Sequence, residues 1–202
     1  MIRDLYIHRE VVIKDQRLYI DGRELFCGAA ENSVQAFLGE LYKFLGINYL
    51  RFFKMDSLSK TLFLASEALL QGSGLPSDSD NPRVALVLQN SHSSIDTDRQ
   101  FQKTIHSEDY LPGPSLFVYT LPNMALGEVA IRNKFTGENL TFMAPSFDAE
   151  SCFTYVQALF ARTDIQYCLC GWFDCMEQCA EARIFAVSEK KTVRLFNINT
   201  LK

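Results

Sequence analysis

Apolar positions along the chain recur with two periods, and the switches between them mark out the expected elements. Residues 5–13 and 17–20 are rich in β-branched and aromatic side chains and predict two strands, with Lys14-Asp15-Gln16 as the turn between them. Over residues 31–45 the apolar side chains are Val34, Phe37, Leu38, Leu41 and Leu45, the spacing of an amphipathic helix. Asn32 or Ser33 is placed to cap it, and Gly46 to end it. A second helix is expected over residues 57–71, with Leu58, Leu62, Ala65 and Leu69 on one face. Gly72-Ser73-Gly74 closes it, and the turn-rich loop 76–82 follows. Residues 83–89, RVALVLQ, form an unbroken apolar run, as in a strand buried on both faces. A polar helix over 95–106, a Pro/Gly-marked loop at 111–114, a strand at 139–143 and a helix reaching about residue 161 come next. The apolar run TDIQYCLCGWF and then AEARIFAVSEKK read as two further strands. This order of strands and helices fits one α/β layer architecture, so residues 1–202 are expected to form a single domain.

Composition narrows the class. At 202 residues, 48% hydrophobic and 22% charged, the chain can bury a substantial core and is not a disordered polymer. A net charge of −4 argues against a broad nucleic-acid-binding surface, and no nucleic-acid partner is expected. No apolar run approaches the roughly 18 residues of a membrane span. The opening MIRDLYIHRE lacks a secretory core, so a cytoplasmic location is expected.

Four of the six cysteines cluster as Cys168, Cys170, Cys175 and Cys179. Their spacing lacks paired C-x-x-C knuckles, and Cys168 and Cys170 fall in a buried-strand pattern, so packing is favoured over a metal site. The histidines are His8, His92 and His106, read as surface or hydrogen-bonded side chains. No Gly-rich phosphate loop opens a helix after a strand, and no cofactor is implied. The run 116–119 reads as core.

One stretch carries more specific information. Asn123, Met124, Gly127, Ile131 and Gly137 lead into Leu140-Thr141-Phe142-Met143. This resembles the approach to the nucleophile in β-ketoacyl-ACP synthases of the thiolase-like group. There an Asn-Met-x-x-Gly helix runs through Ile and Gly to a strand ending at a catalytic Cys. KMDSLSKTLFLASEALLQGSGL, RVALVLQN and the strand containing Cys170-Gly171-Trp172 resemble further segments of that family, in the same order. The resemblance implies a thiolase-like half-fold, the N-terminal half alone: a five-stranded mixed sheet with helices on both faces.

It also implies a change of chemistry. The nucleophile position falls on Ser146, and none of the three histidines sits in a motif matching the family's catalytic pair. A serine is a poor acyl acceptor unless a base activates it. The text A-P-S-F-D lacks the glycines of a nucleophile elbow, so Ser146 or Asp148 is more simply read as capping the following helix. By the same resemblance Leu121 and Met124 are candidate pocket or interface residues. Three readings follow: a non-catalytic ketosynthase-like partner or scaffold in fatty-acid or polyketide (polyene-type) synthesis, a Ser146-dependent acyltransferase or thioesterase, or a small acyl-ligand binding module. The first implies a homodimer, or a heterodimer with a full-length ketosynthase, and admits an acyl carrier protein as a further partner.

Overall fold

A computed structural model describes residues 3–29, 33–73, 83–105, 112–177 and 179–202. The expected loop 76–82 and His106 lie outside the described residues. The strands are β1 (Tyr6–Lys14), β2 (Arg17–Ile20), β3 (Arg23–Cys27), β4 (Val84–Asn90), β5 (Asn139–Met143), β6 (Tyr167–Met176), β7 (Cys179–Ser188) and β8 (Arg194–Leu195). They form one mixed sheet in the order β3-β2-β1-β7-β6-β4-β5, with β8 also pairing β1. The helices are α1 (Val34–Phe44), α2 (Ser57–Leu70), α3 (Ile95–Gln102), α4 (Pro114–Phe117), α5 (Met124–Asn133), α6 (Ala149–Arg162) and α7 (Ile198–Leu201).

The sheet has eight strands where the resemblance implied five. The additions lie beside β1. Its outer edge pairs β8 at Tyr6 and Ile7 and β2 at residues 11–14, and β2 pairs β3 beyond. β3 is mostly exposed and has no clean alternation; it is a strand because β2 lies alongside it. Asp21-Gly22, both at positive φ, make the hairpin between them, and that dipeptide is the signal that could have revealed β3.

Alternation along the central strands divides the core in two. Val84, Leu86 and Leu88 of β4 face α1, α2 and α5, whereas Ala85 and Val87 face α6 and α7. All seven residues of β4 are buried, as its unbroken apolar run requires. α1 is capped by the Ser33 hydroxyl, which accepts from the Ala36 N–H. The run 116–119 departs from expectation: Phe117 and Val118 are exposed and only Tyr119 is buried. Tyr119 is held inside by a charge. Its hydroxyl donates to the fully buried Glu128 carboxylate at 2.9 Å, which also pairs with Arg51 Nε at 2.9 Å. Burial, reinforced by that bond, raises the Tyr119 pKa.

Two glycines are fixed by close approach of the backbone. Gly171 in β6 has φ +140°, and a Cβ there would meet the Arg183 carbonyl oxygen of β7 at 2.1 Å. A Cβ at Gly137 would meet the Val84 carbonyl oxygen at 2.4 Å, so the chain entering β5 can lie against β4 only without a side chain.

Candidate functional site

β4, β5 and β6 are mutually parallel, and the connections leaving their C-terminal ends crowd together at one edge of the sheet. Parallel sheets place ligand-binding loops at that edge. The β5–α6 connection carries Ser146, the β4–α3 connection carries Ser91 to Ser94, and β6 supplies Asp174.

Ser146 is exposed in a bend three residues before α6. Capping falls to Asp148, whose carboxylate accepts from the N–H groups of Glu150 and Ser151 at 3.0 and 3.1 Å. The Ser151 hydroxyl and N–H hold the Asp148 carboxyl below its ordinary pKa. Three hydrogen bonds tie the connection to β4. Ala144 N–H donates to the Asn90 carbonyl at 3.0 Å, and the buried Gln89 amide bonds both backbone groups of Asp148. Ser146 stands midway between these anchors.

One strand away, His92 Nδ1 lies 2.6 Å from Asp174 Oδ2, and the Ser91 hydroxyl donates to the same oxygen at 2.6 Å. In the parallel register Gln89 pairs Trp172, so Ser91 continues opposite Asp174. No local pattern signals this pairing, because His92 and Asp174 lie 82 residues apart. His8 takes no part: it bonds Ser188 from β1, and burial lowers its pKa.

Leu121 is exposed, and Met124 is half-buried against the core beneath α5. Neither lines the neighbouring groove of about 610 Å³, which Leu50, Arg51, Lys54, Ser115, Val118 and Tyr119 form. Asn90 at the end of β4 is fully buried, and neither of its side-chain polar atoms has a hydrogen-bond partner among the described residues.

The four clustered cysteines do not converge. The pleat of β6 turns Cys168 and Cys170 to the α6 face and Cys175 to the α2 face, while Cys179 is exposed on β7. Cys152 of α6 joins Cys168 and Cys170 in the same core. A bond to Cys170 and burial push the Cys152 thiol well up, and burial takes Cys175 to about 12. Among the described residues no group of three or more His, Cys, Asp or Glu could hold a metal ion. No helix among them is long and apolar enough to cross a membrane.

The fold is the thiolase-like α/β fold of ketosynthase-related chains. Solved structures that share it include three with ketosynthases. The ishigamide ketosynthase/chain length factor is 14% identical at a TM-score of 0.65, covering 95% of this chain and 64% of its own. A type II polyketide synthase ketosynthase, solved in complex with its acyl-carrier protein, is 15% identical at 0.63, covering 94% and 64%. A ketosynthase in complex with its chain length factor from Xenorhabdus doucetiae is 12% identical at 0.53, covering 70% and 61%. This chain therefore spans less than two thirds of the length of each. No protein-family model matches the sequence, and no curated protein matches it.

Proposed function

We propose that this chain is a ketosynthase-fold partner protein, one that pairs with a chain of the same fold in fatty-acid or polyketide (polyene-type) synthesis and does not itself form carbon–carbon bonds. The observation that carries the reading is the outer edge of β5. It is terminal in the sheet order, and beside it Met143 and Ile131 are each 54% exposed. An unpaired strand edge with apolar neighbours is a template for another chain.

The solved neighbours support a paired assembly, since two of them are ketosynthase/chain length factor structures. In this reading the partner is a full-length ketosynthase, or a second copy of this chain. An acyl carrier protein is a transient third component, by analogy with the neighbour solved with its own carrier. Condensation is assigned to the partner because Ser146 stands where the family resemblance places the thiolate.

Affinity purification from the native host followed by native mass spectrometry tests the proposal. A stoichiometric complex with a ketosynthase, lost in the double variant Ile131→Asp/Met143→Asp, is the expected result. A chain recovered as a monomer at micromolar concentration, with no synthase attached, would overturn it.

A further inference from the structure

We propose that the groove between the short 3₁₀ segment Leu50–Lys54 and α4 binds a small amphiphilic anion, a free carboxylate on an unbranched apolar chain. Arg51 and Lys54 hold the head, and Leu50 and Val118 line the chain. The site shares no residue with the β5 edge, so it stands independently of the partner reading.

The geometry of the 3₁₀ segment sorts its side chains into three ridges. With three residues per turn, side chains at i and i+3 eclipse one another. Leu50 and Phe53 therefore form one ridge, Arg51 and Lys54 a second, and Phe52 stands alone on the third. Phe52 faces the core: it is buried and stacks on Tyr42 at 4.3 Å. An apolar ridge and a cationic ridge are left at the surface, and Leu50 is 80% exposed. α4 and the turn after it supply Ser115, Val118 and Tyr119 to the same groove.

The cationic ridge is prepared to receive an anion. Arg51 presents Nε to both oxygens of the buried Glu128 carboxylate, at 3.1 and 2.9 Å, and the Tyr119 hydroxyl donates to the same carboxylate. Those contacts fix the guanidinium, while its two Nη groups make no hydrogen bond among the described residues. A guanidinium held in this way keeps a planar fork of donors, the geometry a carboxylate accepts. Glu128 offsets one positive charge. Lys54, with no ion pair among the described residues, carries the other unopposed. No acidic residue lines the groove, although the chain carries a net charge of −4.

Size and charge choose among occupants. A volume of about 610 Å³ falls in the range of small-molecule sites, which combine apolar walls with a few polar anchors. A second copy docked across a two-fold axis through the groove would set Arg51 and Lys54 against their own counterparts, and like charges brought together repel. Anionic bilayers are recognised by clusters of about four to eight Lys or Arg, whereas Arg51 and Lys54 alone line this groove. An alkyl carboxylate satisfies both the fork and the walls.

Calorimetric titration of the purified full chain with octanoate, decanoate and dodecanoate, each below its micelle concentration, tests the site. Saturable 1:1 binding is expected, tightening by roughly ten-fold for each two methylenes and weakening as salt is raised. Lys54→Met should weaken decanoate binding about five-fold, and Arg51→Lys, which keeps a cation beside Glu128, by a similar factor. Val118→Asp, at an exposed position, should abolish binding with the circular dichroism spectrum unchanged. Absence of saturable decanoate binding, equal affinity for decyltrimethylammonium, or parental affinity in Val118→Asp would overturn the assignment. Co-sedimentation with phosphatidylglycerol vesicles by a chain that does not bind free decanoate would overturn it in favour of a lipid surface.

Discussion

Gln89 holds Asp148 by both backbone groups: its Nε2 donates to the Asp148 carbonyl at 3.0 Å, and its Oε1 accepts from the Asp148 N–H at 2.7 Å. The amide is buried, so these bonds are made where water cannot replace them. They join the end of the central strand to the start of α6 and fix the bend that exposes Ser146.

Gln89→Leu should therefore cost about 1–3 kcal/mol in urea unfolding, because it strands a donor and an acceptor of Asp148. Limited proteolysis should cleave the β5–α6 connection faster in this variant. An unchanged midpoint with unchanged cleavage would remove the anchor role.

Asp148→Ala should lose about 1 kcal/mol at pH 7 through the missing helix cap. The Asp148 pKa is lower in the folded chain than its ordinary 3.8, so its contribution is complete above that value and is lost as pH falls through the folded pKa. Stability differences between parent and variant, measured by denaturant titration at several pH values, should be constant near neutrality and shrink below pH 3.8. A gap that widens in acid would contradict the sign.

Gly171→Ala should destabilise by about 2–4 kcal/mol, combining backbone strain at φ +140° with the clash against the Arg183 carbonyl. Gly127→Ala is the control, since a Cβ there meets nothing within 4 Å in the middle of α5. Its thermal midpoint should stay level or rise slightly. If both variants melt together, the close β6–β7 approach is not what constrains residue 171.

The local text was sufficient for the elements with a clean period. The spacing of Val34, Phe37, Leu38 and Leu41 fixes α1, and a run such as Val84–Asn90 admits only a strand covered on both sides. Asn123, Gly137 and Gly171 likewise pointed to the fold, two of them because the backbone passes too close for any side chain. These properties are short-range: each depends on which face a residue takes, and the period alone sets that.

What the tertiary structure alone decided are meetings between distant segments. Four cysteines that look like a cluster in the text are parted by the pleat of β6, while Cys152, outside the cluster, packs with two of them. Arg23–Cys27 is a strand only by virtue of its neighbour, and with β2 and β8 it is one of the three strands by which the sheet exceeds the five that the resemblance implied. Ser91, His92 and Asp174 meet because parallel pairing sets Gln89 beside Trp172 and so brings the ends of β4 and β6 together. Pairing register is a long-range quantity, closed by loops and packing that no window of sequence contains.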